Sequence, residues 1–216
     1  MEQDKLIEAA NAEDLQELYA KTAYMLRESR KEVLRQYAVD SEAVLLEKIK
    51  NGEVSEHPAY EHYLSALILD QTRMQVRAEM MEQFGDALTV QAEPVVCMHL
   101  ILKENLEEHY AERMVEPVRM AQDALTLSFD SGLMMEVRYF SNEEYSINWS
   151  WGDAELRMDT APMHESYTDF PLHVHDENGN VRVGPMIDHS LDDWRNFSSM
   201  LDVLLLDPLL ERIESL

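Results

Sequence analysis

Through the first 86 residues apolar positions recur every three or four residues, the period of a helix face; beyond Gly85 they turn to alternation, the period of a strand. The first helix is predicted to start at Asn11, whose side-chain oxygen can cap it, with Asp14 favourable in the first turn. It runs to about Tyr37 with Leu15, Leu18, Thr22, Met25 and Leu26 along one side. A short second helix begins at Ser41, carries Val44, Leu45 and Ile49, and stops at Asn51-Gly52, a left-handed end signal. Pro58 suits the first turn of a third helix that continues to Phe84, with Gly85 ending it. Its stripe of Tyr60, Tyr63, Leu64, Leu67, Gln71, Met74, Ala78 and Met81 fits a helical hairpin or a seam with another chain. Ile68 and Leu69 lie beside the stripe and are expected to meet a second copy, giving a homodimer through the N-terminal helices.

Residues 95–102 form a compact apolar run, expected as a buried strand, with a helical segment as the alternative. Residues 104–113 can be helical until Pro117 interrupts them. From Ala124 the alternation is clear: Leu125, Leu127 and Phe129, a turn at Asp130-Ser131-Gly132, then Leu133, Met135, Val137 and Tyr139. Tyr145, Ile147, Trp149 and Trp151 follow, and Trp151-Gly152-Asp153 turns into residues 155–158, completing an antiparallel meander. Ser190 to Asp193 resembles a capping box before a helix with Leu191, Trp194, Phe197, Leu201, Leu204 and Leu205 on one face. Asp207-Pro208 breaks it and precedes a last short helix at 209–216. The fold class is therefore α+β: an N-terminal helical region (1–86), then an antiparallel meander covered by a C-terminal helix (87–216), with the boundary near residues 85–93.

Charge narrows the partners. The chain has 216 residues, 45% of them apolar, and a formal net charge of −25. Residues 1–93 carry 10 basic and 19 acidic side chains, residues 94–216 carry 8 and 24, so the excess is greatest in the second part. This favours basic partners and opposes a broad phosphate-binding surface. The single Cys97 excludes an intrachain disulfide and, within an apolar run, reads as a buried thiol. No apolar run approaches 18 residues and the start lacks a leader pattern, so a cytoplasmic protein without membrane contact is expected. Gly-rich phosphate loops, Gly-x-Ser-x-Gly, His-Glu-x-x-His and Cys pairs are missing from the sequence.

Candidate chemistry gathers between residues 156 and 175, where Arg157, Asp159, His164, His173 and His175 fall within twenty positions. Imidazoles titrate near neutrality, and carboxylates beside them suit proton transfer or metal binding. On a strand His173 and His175 share a face, side by side, able to share a metal or act as an acid–base pair. Asp159 and His164 are placed on the preceding loop, Asp159 orienting a ring and Arg157 holding an anion. A structural hydrogen-bonding network is the bland alternative. A cupin metal site fails on spacing, because Asp176-Glu177-Asn178-Gly179 brings its Glu too early and reads as a hairpin turn. Met158, Met163, Met134 and Met135 read as core.

The stretch from about residue 124 to 205 resembles the TumE family, toxin components of bacterial toxin–antitoxin modules. The resemblance rests on the strands around Asp130-Ser131-Gly132 and Tyr145 to Trp151, on residues 156–164, on Phe170-Pro171-Leu172-His173-Val174-His175, and on the closing helix. The family blocks tend to read Arg-x-Asp-Asn-Ala-Pro-His-His and Phe-Pro-His-His-x-His. This chain keeps Arg157, Asp159, Ala161, Pro162, His164, Phe170, Pro171, His173 and His175, and departs at Thr160, Met163 and Leu172. The resemblance implies a toxin-like protein with a cognate antitoxin or other protein partner and RNA as substrate. The expected chemistry is metal-free phosphodiester cleavage without cofactor, His173 and His175 serving as base and acid and His164 assisting. A non-catalytic inhibitor that binds a basic partner through the acidic surface is the alternative.

Overall fold

In the computed structural model the described residues are 2–84, 97–166, 170–184, 188 and 190–211, with backbone only for 2–11 and 13. Three helices come first: α1 (Glu2–Gln36), α2 (Glu42–Lys50) and α3 (Glu56–Phe84). α1 starts nine residues before the expected Asn11 cap, because Glu, Gln, Lys, Leu, Ile and Ala before it are good helix formers. α2 behaves as read: Ser41 Oγ accepts from Val44 N–H, and Gly52 adopts φ +67° beyond the Asn51 cap. α3 is irregular at His57 and Pro58, so its regular turns begin at Ala59, close to the start expected from Pro58. The Gly85 stop and the boundary at 85–93 lie outside the described residues.

α1 and α3 form a hairpin whose shared core with α2 comprises Leu34, Leu45, Ile49, Tyr60, Tyr63, Leu64 and Ile68. Ile68 and Leu69 are buried within the chain, which overturns the expectation that they meet a second copy. Among the described residues, the exposed large apolar side chains of the hairpin are instead Leu15, Leu18, Tyr24 and Met25 of α1 and Met74 and Met81 of α3.

The run expected as a strand at 95–102 is helical where described: α4 spans Met98–His109. Leu102 and Leu106 are buried one turn apart, so the run belongs to a helical period that continues past residue 102. Cys97, buried as expected, stands at its N-terminal end. A 3-10 turn at Ala111–Arg113 leads into the sheet. Among the described residues seven strands follow in simple sequence order, all antiparallel: β1 (Arg119–Met120), β2 (Leu125–Ser128), β3 (Met134–Ser141), β4 (Glu144–Trp151), β5 (Ala154–Asp159), β6 (His173–His175) and β7 (Val181–Arg182). The meander and the α+β class are as the alternation predicts.

α5 (Asp193–Leu206) closes the fold, capped by Asp192, whose carboxylate accepts from Arg195 N–H at 2.8 Å. Ser190, expected as the cap, hydrogen-bonds to Asp188 instead. Residues 208–211 form turns, and 212–216 of the expected last helix lie outside the described residues.

The two sheet faces differ because strand side chains alternate. Leu125, Met135, Val137, Tyr139, Tyr145, Ile147, Trp149, Met158 and Val174 pack with α4 and α5 in the larger core. Met134, expected there too, points the other way and is exposed. The opposite face carries Glu136, Arg138, Asn148, Arg157, Asp159, His173 and His175, paired by register across β3 to β6. α3 covers one end of this polar face, where Tyr60 and Thr160 hydroxyls meet at 3.0 Å and Arg138 Nε donates to Ser65 Oγ at 3.1 Å.

Candidate functional site

The β5–β6 ladder pairs Arg157 with His175 and Asp159 with His173, so four of the five sequence candidates share one sheet face. Asp159 is thus a strand residue at the end of β5, not part of the loop where it was expected. The chain then loops out and returns, and His164 on that loop has its ring 4.7 Å from His173 and 5.9 Å from His175. His164 holds φ +60°, a left-handed conformation costly for a side chain with a Cβ. The five candidates are therefore brought together.

Three residues that the sequence reading passed over complete the cluster: Glu56, His57 and Glu61, all from the start of α3. Glu56 Oε2 lies 3.0 Å from His164 Nε2 and 3.8 Å from His175 Nε2, while its Oε1 is 2.9 Å from His173 Nε2. His57 Nδ1 donates to Glu61 at 3.0 Å, and its Nε2 meets His175 Nε2 at 3.1 Å and Asp159 Oδ2 at 3.5 Å. Arg157 Nε is shared between Glu61 Oε1 at 2.9 Å and Asn148 Oδ1 at 2.5 Å. The signal for these residues was faint: His57 and Glu61 are four apart, one helical turn, but a hundred positions from the motif.

Burial divides the cluster. Asp159 and His173 are fully buried, at 0% and 1% exposure, so His173 has no face through which to touch a substrate. His57, Arg157 and His175 instead line a groove of about 710 Å³ on the sheet face, with Asn148, Glu136, Glu155 and Asp176. The residues facing that groove, rather than His173, are placed for contact with a bound molecule.

Electrostatics push the groups apart. Burial raises the Asp159 carboxyl to about 6, against the pull of His173 and His57. Burial also acts to raise Glu56, but its histidine neighbours, His173 and His164 foremost, outweigh it and hold the carboxyl at about 2. His175 is lowered to about 4, by burial first and then by His57. For His173 burial lowers the pKa, yet Glu56 and Asp159 more than offset it and the result is a rise. Carboxylates and imidazoles with pKa values driven in opposite directions are the usual equipment of a chemical centre.

His173 Nδ1 donates to the Pro171 carbonyl at 2.9 Å. Its Nε2 approaches Glu56 Oε1 without hydrogen-bond alignment, and both atoms, with Asp159 Oδ2, are buried and lack a hydrogen-bond partner. Asp159 Oδ1 accepts from Ala161 N–H at 2.9 Å, which fixes the carboxylate as β5 ends.

Two family models match the chain, and they meet at this site. Residues 98–202 match the family described as Toxin TumE, as the motif at 156–175 suggests. Residues 2–85 match the Uncharacterized protein MJ0235 family, which accounts for the helical part. No curated protein and no solved structure matches. Glu56, His57 and Glu61 come from the first matched part; Arg157, Asp159, His164, His173 and His175 come from the second.

Proposed function

We propose that this protein is the toxin-like member of a bacterial toxin–antitoxin or defence pair, and that it cleaves phosphodiester bonds in RNA at the groove end where α3 meets β5 and β6. The observation that carries the reading is the facing pair of imidazole nitrogens, His57 Nε2 and His175 Nε2, 3.1 Å apart beside Arg157 and open to the groove. The match of residues 98–202 to the Toxin TumE family supports the toxin-like role.

His57 is the group for proton transfer. Its Nδ1–H is held by Glu61, so Nε2, which faces His175 Nε2 at 3.1 Å, carries the lone pair that takes the proton of a ribose 2′-hydroxyl as that oxygen attacks phosphorus. The bond from phosphorus to the 5′-oxygen then breaks, and that oxygen takes a proton back from the His57 imidazolium, giving a cyclic phosphate and a free 5′-hydroxyl. Arg157 anchors the phosphoryl group, fixed at Nε by Glu61 and Asn148 and with a third of its side chain exposed. Asp159, His164, His173 and Glu56 organise the centre beneath. A cognate antitoxin would act by covering the groove.

Inducible expression in a bacterium tests the reading. The wild-type chain is expected to arrest growth and His57→Ala or Arg157→Ala to release it, while the purified protein cleaves RNA and the variants lose 100-fold or more, the upper part of the usual range for an acid–base group. If the wild type neither arrests growth nor cleaves RNA, the nuclease reading falls. One observation favours a second reading, a non-catalytic protein that binds a basic partner: Glu136, Glu155 and Asp176 line the same groove. Affinity for such a partner would fall steeply with salt, since screening shortens exposed charge interactions to about 8 Å at physiological ionic strength.

A further inference from the structure

We propose that Glu56, His164, His173 and His175 hold one divalent transition-metal ion of the zinc type. The inference rests on reading the cluster as the chemical centre, and it adds a metal ion where the expected chemistry was metal-free. One ligand atom from each of the four residues lies within 4.8 Å of all the others. A tetrahedral shell with bonds of about 2.0–2.1 Å sets its ligand atoms about 3.3 Å apart. Glu56 Oε2 lies 3.0 and 3.8 Å from His164 and His175, close to that spacing, and Glu56 Oε1 lies 2.9 Å from His173. Contraction of the side chains from within 4.8 Å to that spacing would close the shell.

The proton inventory points the same way. A backbone carbonyl can only accept, so His173 Nδ1 must carry a hydrogen toward Pro171. In the neutral ring Nε2 is then a lone pair, and it is aimed at another lone pair on Glu56 Oε1. Two acceptors at 2.9 Å need a proton or a metal ion between them, and both atoms are buried without an aligned hydrogen bond, as is Asp159 Oδ2. A metal ion between them would give Glu56 Oε1 and His173 Nε2 a common partner. An imidazole whose far nitrogen is tied to a carbonyl is also the usual form of a metal-binding histidine. His57, tied to Glu61 in the same way, stands next to the shell, as does buried Asp159.

Ligand chemistry selects the class of ion. Three imidazoles and one carboxylate suit Zn²⁺ better than Mg²⁺ or Ca²⁺, which prefer all-oxygen shells. Such an ion would supply the positive charge that an RNA-cleaving groove needs and that this acidic chain otherwise lacks. It would also tie α3 to β6, the two parts of the chain matched by different families. With the ion bound, His175 belongs to its shell and proton transfer rests on His57.

The test uses the full-length protein stripped with EDTA, desalted and titrated with ZnCl₂ by calorimetry, with native mass spectrometry for stoichiometry. One Zn²⁺ per chain is expected, with a Kd of about 1 μM or tighter and a rise in melting temperature on addition. His164→Ala, on a loop and able to keep the fold as read by circular dichroism, is expected to weaken binding at least 100-fold; His173→Ala is expected to do the same. His109→Ala, remote on α4, is expected to bind as the wild type does. Weak binding at several sites, unchanged in His164→Ala, is what an acidic surface alone would give, and it would overturn the proposal. MnCl₂ binding more tightly than ZnCl₂ would overturn the zinc-type assignment. The two readings fail separately: one tight Zn²⁺ without growth arrest or RNA cleavage removes the nuclease and keeps the metal site, whereas RNA cleavage undiminished by EDTA removes the metal and keeps the nuclease.

Discussion

His99 is buried against the sheet, and its Nε2 accepts the Tyr139 backbone N–H at 3.0 Å, a role open only to the uncharged ring. Burial lowers its pKa to about 4; Asp123 opposes the shift and Arg138 reinforces it. The unfolded chain takes up this proton near pH 6.5 and the folded chain does not, so the contribution is fully present above pH 6.5 and is lost as the pH falls toward 4. At about 1.4 kcal/mol per pKa unit, it amounts to about 3 kcal/mol. Urea midpoints are therefore expected to fall between pH 6.5 and 4 in the wild type and to fall less in His99→Gln, which keeps an acceptor but does not titrate. Equal slopes would reject the assignment. Thr160 offers a second test, because its Oγ1 receives the Tyr60 hydroxyl and the Tyr145 N–H, both at 3.0 Å and all buried. Thr160→Val leaves two buried donors without partners and is expected to cost about 2–4 kcal/mol in urea unfolding. Neither role was visible in sequence, because each depends on an atom brought from 40 to 100 residues away.

At the scale of elements, alternation and turn chemistry carried most of the information. Leu125, Met135, Ile147 and Met158 each fall on the buried face, because a half-buried sheet must alternate and a slip of one residue would expose them all. Helix ends were less legible. The N-terminal capping signal at Asn11 sits inside α1, since a cap decides a helix start only where the residues before it resist helix. At α5 two oxygens compete, and Asp192 wins because its carboxylate reaches Arg195 N–H three residues on, while Ser190 is drawn to Asp188. Asp192→Ala should therefore lower stability by about 0.5–2 kcal/mol, and Ser190→Ala by much less. Thermal melts of the two variants rank them, and the reverse order would restore the Ser190 cap. The run at 95–102 illustrates a different limit. Seven apolar residues and His99 fit a buried strand or a helix equally, and only Leu106, outside the run, reveals the helical period of α4.

The whole molecule decides the candidate site. The motif half was legible because His173, His175, Arg157 and Asp159 sit on paired strands close in sequence. The other half was not, because Glu56, His57 and Glu61 arrive only when α3 packs across the polar sheet face. A chain cut to residues 87–216 is accordingly expected to lose RNA cleavage and growth arrest, even where circular dichroism shows the sheet intact. The hairpin reaches beyond that contact: Tyr19 meets Phe84 ring to ring, with centroids 6.2 Å apart, at the end remote from α2. Leu18, Met25, Met74 and Met81 are each about half exposed, and spacings of seven put Leu18 with Met25 and Met74 with Met81 on one side of their helices. We propose that two copies associate through this part of α1 and α3, in place of Ile68 and Leu69. Light scattering at tens of micromolar is expected to give a dimer. Leu18→Glu with Met81→Glu is expected to give a monomer that keeps its far-ultraviolet spectrum, since neither side chain belongs to the shared core. A wild-type protein that scatters as a monomer at that concentration would leave the hairpin as a cover for the site and nothing more.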